Sequence, residues 1–163
     1  MFEIGEKVVY GNTGVCILED IIQKEIIKNK KQNYYVLKPL YQQNNTIYAP
    51  VDSDRIFIRK VISKSEAEEL IEKIPQITED IIIDNDPDIY RKAFSSHDCK
   101  ELIVITAIIY QKKRMAMSLK KKLGYGDEKN MRLAENLLFG ELACALDIDT
   151  QEVPAYIKSK IGK

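Results

Sequence analysis

The stretch GEKVVYGNTGVCILEDI, residues 5–21, determines how the first part of the chain is expected to fold. Two runs of apolar and β-branched residues lie on either side of a Gly-Asn-Thr-Gly segment, residues 11–14. This arrangement is typical of two β-strands joined by a turn. We therefore predict that Gly11 and Gly14 reverse the chain direction between the first two strands.

Three more strand patterns follow before residue 63. The segment EIIKNKKQNYYVLKPL, residues 25–40, indicates a hairpin whose loop is the polar KNKKQN. The segments NNTIYAPVDS and RIFIRKV, residues 44–53 and 55–61, each supply one short strand. About five short strands with no helical pattern among them are typical of a small barrel or a strongly bent sheet. Residues 1–62 are therefore predicted to form a β domain.

From residue 63 onward the apolar residues recur with a helical period. The run LIVITAIIY, residues 102–110, is rich in β-branched residues and could also be a buried strand. The capping pattern before it and the basic turn after it favour a helix at the centre of a bundle. We predict that Pro75 ends the first helix and that the segment GYG, residues 124–126, forms a positive-φ turn. A compact bundle of about five helices is expected over residues 63–163, with candidate N-caps at Ser65, Asp86, Asp98, Asp127 and Asp149.

Composition limits the class of protein. The chain has 163 residues, of which 45% are hydrophobic and 31% are charged, so it can build a real core. Three separated cysteines and the single His97 make a disulfide framework or a zinc site a poor expectation. The N-terminal residues lack the apolar region of a signal peptide, and the longest apolar run is too short to span a bilayer. We expect a soluble, cytoplasmic protein with no membrane partner.

One interpretation of the segment YGNTGVC, residues 10–16, is a phosphate-binding loop next to a reactive thiol. It lacks the lysine of a phosphate-binding loop, and a strand pattern rather than a helix follows it. A nucleophilic Cys16 would need a base and an orienting group, and the only histidine lies far along the chain. A solvated or helix-capping role fits the acidic residues Glu19 and Asp20, and the DNDPD segment at residues 84–88, better than catalysis does. We expect a protein that is not an enzyme, with no cofactor, no metal and no small-molecule substrate.

Charge is separated along the second half of the chain, although the formal net charge is zero. Residues 66–88 are strongly acidic, and residues 89–123 are strongly basic. Cations at a helix C-terminus offset the helix macrodipole, which explains part of the basic cluster. The remaining cations predict a surface for the phosphate backbone of nucleic acid, with little dependence on sequence. The six clustered cations are Lys112, Lys113, Arg114, Lys120, Lys121 and Lys122.

These segments resemble a known family. GEKVVYGNTGVCILEDI, then YYVLK and TIYAPVDS, closely resembles the N-terminal RNA-polymerase-interacting module of CarD/CdnL-type bacterial transcription regulators, which also occurs in the transcription-repair coupling factor. In the second half, SSHDCKELI and AENLLFGELACAL resemble family segments. The resemblance covers nearly the whole chain, and the order and spacing of the motifs make it specific.

The resemblance implies a Tudor-like β-barrel that binds the β subunit of RNA polymerase through its sheet edge. It also implies a compact helical domain near promoter DNA, at the upstream edge of the transcription bubble, that supports promoter opening. The polymerase contacts of the family match Lys24, Ile26, Tyr48 and Pro50 in this sequence. Tyr48 could also be a surface aromatic side chain without a partner.

One departure from the family concerns the DNA contact. Many relatives carry a tryptophan wedge near the start of the helical domain, and this chain has no tryptophan. The corresponding segment, TEDIIIDNDPDIYRK, would place Ile82 or Ile83 at the wedge, although both could also be core residues. Aliphatic side chains do act as wedges at base steps. Further basic residues of the family match Arg91, Lys92, Lys129 and Arg132 loosely.

The sequence therefore predicts a transcription regulator with an RNA-polymerase-interacting β-barrel, residues 1–62, and a helical DNA-proximal domain, residues 63–163. It would modulate open-complex formation on promoter DNA. The alternative is a protein–protein adaptor that binds polymerase without direct DNA contact.

Overall fold

A computed structural model describes residues 1–42, 44–82 and 86–162 of the chain. The chain divides into two compact units, Met1–Val61 and Ile62–Lys163. The first unit is built from β-strands and the second from helices, which confirms the predicted fold class of a β domain followed by a helical domain.

The first unit is a five-stranded antiparallel sheet in the order β4-β3-β2-β1-β5 among the described residues. Its core lies on one face, because alternate residues of each strand point to the same side of a sheet. The buried residues there are Val8, Cys16, Leu18, Tyr35, Leu37 and Ala49. The strands are β1 (Lys7–Tyr10), β2 (Gly14–Ile27), β3 (Lys30–Pro39), β4 (Ile47–Pro50) and β5 (Ile58–Lys60).

The predicted turn after β1 is confirmed. A 3₁₀ turn, Gly11–Thr13, joins β1 to β2, and Gly11 and Gly14 have φ angles of +47° and +90°. Residues with a Cβ atom rarely adopt such positive φ angles, whereas glycine does so at no steric cost. Glycine at these two positions therefore permits the tight reversal.

The β2–β3 hairpin differs from the prediction. The polar segment KNKKQN was expected to be the loop, but only Lys28 and Asn29 form the turn, and β3 begins at Lys30. The paired strands thus continue through polar residues, since the backbone ladder does not require apolar side chains. Within the described residues, β1 pairs with β2 only over 14–17, and β4 pairs with β3 only over 34–37. Residues 24–32 therefore form a two-stranded extension, which we name the β2–β3 ribbon.

The second unit contains six helices in its described part, one more than the approximate prediction. The additional helix is a single turn that begins directly after the first helix ends. The helices are α1 (Lys64–Glu72), α2 (Ile74–Ile77), α3 (Pro87–Ser96), α4 (Cys99–Ser118), α5 (Tyr125–Leu146) and α6 (Val153–Ile161).

Helix α4 confirms the helical interpretation of LIVITAIIY. Its buried residues include Leu102, Ile103, Ile105, Ile108 and Ile109, which occupy more than one side of the helix. A helix that is apolar on most sides is surrounded by other elements, which explains how a β-branched run forms a helix here. Neighbouring helices supply the rest of this core, for example Tyr90, Phe94, Leu138, Leu142 and Val153.

The predicted N-caps Asp86 and Asp98 are confirmed, and the predicted cap of α1 is corrected. The Asp86 and Asp98 carboxylates accept hydrogen bonds from the Asp88 and Lys100 backbone N–H groups, each at 3.0 Å. The cap of α1 is Ser63, not Ser65, and its hydroxyl accepts a hydrogen bond from the Glu66 N–H at 3.0 Å. Helix α1 also ends at Glu72, before the predicted stop at Pro75, which lies within the first turn of α2.

The start of α5 also differs from the prediction. Gly124 is the N-cap, so Asp127 and Gly126 lie inside the first turn rather than before it. The GYG segment has no positive φ angle, and the left-handed residue of this connection is Lys120, at φ +56°. The chain reversal is therefore made at the end of α4. At the C-terminus, Asp149 precedes a 3₁₀ turn, Thr150–Glu152, that leads into α6.

Candidate functional site

The outer face of the sheet brings together two of the predicted polymerase-binding residues. Tyr48 on β4 pairs in register with Val36 on β3, on the face opposite to the core residue Ala49. The Lys24 ammonium on β2 lies 4.6 Å from the centroid of the Tyr48 ring, a cation–π contact. Tyr48 is 42% exposed. An aromatic ring with a cation above it is therefore presented to solvent, and we name Lys24, Tyr48 and their surroundings the outer patch.

A shallow groove adjoins the outer patch. It crosses the sheet from β4 to β2 and has an apolar floor with an acidic rim. Such a groove next to an exposed aromatic side chain suits an extended segment or a loop of a partner protein. Its lining includes Ile4, Ile17, Asp20, Ile22, Val36 and Tyr48.

The other two predicted polymerase-binding residues lie at the border of this patch. Ile26 is on the β2–β3 ribbon and is 51% exposed. Pro50 is the last residue of β4, is partly buried and pairs with Tyr34. Because β4 stands at one end of the strand order, Pro50 lies on an edge strand, where proline is tolerated. Lys24 and Tyr48 thus lie together on the outer face, Pro50 lies on the edge strand and Ile26 on the exposed ribbon.

In the helical unit, the wedge candidate Ile82 is 81% exposed, so it is not a core residue. Ile83 lies outside the described residues. Arg91 is exposed and forms an ion pair with Asp88, with 2.7 Å between Nη2 and Oδ1. Lys92, one residue further on α3, is exposed.

Lys112 is placed differently from the rest of the basic cluster. Its ammonium donates a hydrogen bond to the Tyr90 hydroxyl at 2.8 Å and lies 3.6 Å from Asp127 Oδ1. Only 13% of its side chain is exposed. Burial by itself lowers the pKa of Lys112, but the hydroxyl and the carboxylate prevail and raise it. Its charge therefore serves to join α3, α4 and α5, and it is a poor candidate for a DNA contact.

Lys113 also faces an acid. It stabilises the ionised form of Glu135 on α5, which partly offsets the effect of burial, and the pKa of Glu135 is still raised. Burial, followed by the charge of Glu135, raises the pKa of Tyr110 to about 12. Lys113 itself remains exposed.

The other four clustered cations are exposed around the connection between α4 and α5. Arg114 lies in the last turns of α4, and Lys120, Lys121 and Lys122 lie in the turn and loop that follow it. We name residues 114–125 the α4–α5 tip. Lys129 and Arg132, on the following turns of α5, are exposed as well.

Comparison with known families gives one match. Residues 2–62 match the family described as the CarD-like/TRCF RID domain. The N-terminal unit is a CarD-like/TRCF RID domain. This domain is associated with transcription and with binding to RNA polymerase. The match ends where the sheet unit ends, and a search of curated proteins gives no match.

Cys16 lies in the core of the RID domain. Its side chain is fully buried, and burial raises the pKa of its thiol to about 11. A nucleophilic cysteine needs a lowered pKa and access to solvent. Cys16 therefore packs as a small apolar side chain in the core of the domain.

A buried carboxylate outside the RID domain escaped the sequence analysis. Glu141 on α5 is 3% exposed, and its Oε2 accepts a hydrogen bond from the Ile62 backbone N–H at 3.1 Å. Its Oε1 accepts one from the Cys99 thiol, also at 3.1 Å. The side chain thus ties the first residue of the helical unit to α4 and α5. The available signal was an acid within the apolar run LLFGELACAL.

In residues 1–42, 44–82 and 86–162, no three His, Cys, Asp or Glu side chains are grouped so that they could hold a metal ion. None of the helices in this part of the chain has the length and apolar character needed to cross a membrane.

Proposed function

We propose that the chain is a non-enzymatic transcription regulator that binds the β subunit of RNA polymerase through its RID domain and promoter DNA through its helical unit. The observation that carries the proposal is the outer patch on a domain of this family, where Lys24 and Tyr48 form one exposed aromatic and cationic surface. The helical unit adds exposed cations at the α4–α5 tip and on α5. We expect the DNA contact to support open-complex formation.

The outer patch has the properties of a protein-binding surface. Tyrosine combines a large apolar area with little loss of conformational entropy, and such residues often dominate binding energy. The neighbouring edge strand β4 offers backbone groups for pairing with a strand of the partner. These features support a partner sheet docking at β4, with Tyr48 and Lys24 as side-chain anchors.

A binding experiment with the isolated lobe of the polymerase β subunit tests this step. We expect Tyr48→Ala and Lys24→Glu each to weaken binding at least tenfold, since anchor residues commonly contribute more than about 1.4 kcal/mol. Tyr41→Ala and Lys60→Gln are controls in the same domain but outside the outer patch, and should bind like the wild type. Lys60 lies on β5, at the opposite end of the strand order from β4. Wild-type affinity in both patch variants, with the sheet still folded, would refute this surface.

For DNA, we propose that Arg114, Lys120, Lys121, Lys122, Lys129 and Arg132 supply the phosphate contacts. Lysine and arginine that neutralise phosphates release condensed counterions, so binding weakens as salt rises. We expect little dependence on base sequence, because such contacts position a protein without reading bases. Ile82 is retained as the wedge candidate because its side chain is exposed.

The salt dependence of duplex binding tests the phosphate contacts. Changing Lys120, Lys121 and Lys122 to Gln should weaken binding and reduce the slope of log K against log salt by about 0.9 per lost contact. Lys64→Gln and Lys158→Gln change exposed lysines on α1 and α6 and control for the loss of charge. An unchanged slope in the triple variant would contradict a DNA contact at the tip.

A polymerase-binding adaptor without DNA contact is the second candidate. It is favoured by the fact that Lys112 and Arg91 are each paired with an acid of the helical unit, so fewer cations are available for DNA than the sequence suggests. Under this alternative the wild-type chain binds the polymerase lobe but neither duplex nor forked DNA.

The proposed mechanism is thermodynamic linkage. Binding to polymerase holds the helical unit close to the DNA and raises its effective concentration there. If the helical unit binds the opened promoter better than the closed one, it shifts the opening equilibrium toward the open state. A coupling of about 1–3 kcal/mol would change that equilibrium by roughly 5- to 150-fold.

A further inference from the structure

The α4–α5 tip exposes large apolar side chains as well as cations. Met115 and Met117 on α4 are 56% and 66% exposed, Leu119 is 65% exposed, and Tyr125 at the start of α5 is 76% exposed. The last fully buried residue of α4 is Ile109, so the end of the helix extends beyond the core that its first half builds. These side chains therefore do not serve the packing of the helical unit.

The charge at the tip has one sign. Residues 114–125 contain four cations, Arg114, Lys120, Lys121 and Lys122, and no acid. All four are exposed. A surface that combines uncompensated cations with apolar side chains is complementary to a polyanion that also presents flat apolar groups. Nucleic acid with unpaired bases has this combination, because its bases can stack on aromatic rings while its phosphates meet the cations.

Tyr125 is the side chain best placed for stacking. It lies between Gly124 and Gly126, and beyond the adjoining residues no atom comes within 4 Å of a Cβ position at either glycine. The backbone on both sides of Tyr125 is therefore uncrowded. Lys122, three residues before Tyr125, is exposed.

We propose that Tyr125 stacks on an unpaired base of DNA, while Arg114 and Lys120, Lys121 and Lys122 hold the adjoining phosphates. This inference rests on the proposed DNA-binding function and specifies the form of DNA that the tip selects. It places a stacking aromatic residue on α5, away from the segment around Ile82 where the wedge was expected. The tip would bind a fork with a single-stranded segment more tightly than a fully paired duplex.

The experiment compares the full chain on two fluorescent DNA probes of equal length, a fork with one unpaired arm and a duplex. Stacking on an aromatic side chain is worth a roughly 5- to 150-fold change in affinity per base. We expect Tyr125→Ala to lose about this factor on the fork and to leave the duplex affinity unchanged. Tyr125→Phe keeps the ring and should bind both probes like the wild type.

A direct readout of stacking complements the affinities. With 2-aminopurine in the unpaired arm, the wild type and Tyr125→Phe should change the fluorescence of the base, and Tyr125→Ala should not. The Gln variants of the three lysines should weaken binding to both probes, which separates phosphate contact from stacking. Circular dichroism and urea unfolding of each variant verify that the helical unit is intact.

The outcomes distinguish this inference from the proposed function. Wild-type binding to duplex with equal affinity for the fork, or an unchanged fork affinity in Tyr125→Ala, overturns the role of Tyr125 and leaves the phosphate contacts in place. Failure of the wild type to bind either probe overturns both proposals. Binding to anionic lipid vesicles that depends on Tyr125, together with unchanged fork affinity in Tyr125→Ala, would assign the tip to a membrane surface and also overturn it.

Discussion

Lys112 shows how a single side chain can belong to a basic cluster in the sequence and to the core in the structure. Its ammonium joins the Tyr90 hydroxyl and the Asp127 carboxylate, which lie on two other helices. Neither partner could be assigned from the sequence, because Tyr90 is 22 residues away from Lys112 and Asp127 lies on the next helix. Arg114, two residues further on, is exposed. Cations close together in sequence thus divide between a structural role and a surface role.

We predict that Lys112→Met lowers the free energy of unfolding by about 1–3 kcal/mol, the range for losing hydrogen bonds to a charged group and leaving a buried polar partner unsatisfied. Tyr90 is 7% exposed, so its hydroxyl would lose its ammonium donor away from bulk water. Urea unfolding of the full chain measures the change. Lys121→Met, at an exposed position of the tip, is the matched control and should remain within about 0.5 kcal/mol of the wild type.

Glu135 allows a prediction about pH. Burial raises its pKa in the folded state, only partly offset by Lys113 and Tyr110. An acid with a raised folded-state pKa binds its proton more tightly in the folded than in the unfolded protein, so it opposes folding once it is ionised. The contribution of Glu135 to stability therefore decreases as the pH rises from the ordinary pKa of a glutamate through the raised folded-state pKa.

We expect Glu135→Gln to remove that part of the pH dependence and to be slightly more stable than the wild type at pH 7. The amide oxygen of Gln can still accept a hydrogen bond from Tyr110. Unfolding free energies at several pH values between 4 and 7 measure the effect. A variant with the same pH dependence as the wild type would show that Glu135 is not desolvated in solution.

At the scale of elements, helix caps were partly predictable. Proline at the next position marks Asp86 as a cap, Glu101 at N3 marks Asp98, and both predictions are confirmed. For α1 the sequence offers two serines within the segment SKSE, and local rules do not choose between Ser63 and Ser65. The packing of Ala67 and Ile71 into the core fixes the phase of the helix, and the earlier serine becomes the cap.

We predict that Asp98→Ala lowers the free energy of unfolding by about 0.5–2 kcal/mol through loss of the α4 cap. The carboxylate that accepts the Lys100 N–H would be absent, and α4 carries much of the core. Asp98→Asn can still accept this hydrogen bond and should lose only a few tenths of a kcal/mol. A change of equal size in both variants, measured by urea unfolding, would assign the effect to charge rather than to capping.

The strands were predictable to the extent that apolar alternation follows the core. Residues 14–18 and 34–37 contain buried apolar side chains, and both lie in strands that the sequence identified. Residues 28–33 were predicted as a loop because they are polar, but only Lys28 and Asn29 form the turn and the others lie in β3. Likewise, only the resemblance to the family named Lys24 and Tyr48 together. Their contact depends on the pairing of three strands, which local sequence patterns do not give.

At the scale of the whole molecule, linkage between the two proposed partners can be measured. If tethering operates, the polymerase lobe and forked DNA bind the chain with positive coupling, and each raises the affinity for the other by the same factor. We expect the affinity of the chain for the fork to be roughly 5- to 150-fold higher when the fork is bound to polymerase in one promoter complex than when it is free. Fluorescence anisotropy with a fork attached to the reconstituted polymerase measures it.

Variants of the outer patch supply the control for this coupling. Tyr48→Ala should eliminate the gain while leaving the affinity of the free chain for the fork unchanged, since Tyr48 lies in the RID domain. Lys60→Gln, on β5 at the other end of the sheet, should keep the gain. Equal fork affinity with and without polymerase would show that the two partners bind independently.

The β2–β3 ribbon has a consequence for hydrogen exchange. Residues 24–32 are held by the pairing of two strands, and residues 24–31 are all exposed. An isolated two-stranded hairpin is only marginally stable in water. The amides of the ribbon should therefore exchange through local opening, much faster than those of residues 15–18 in the same strand β2. Because Lys24 begins the ribbon, a partner that binds the outer patch would slow this exchange, so that deuterium uptake reports docking without any label on the protein.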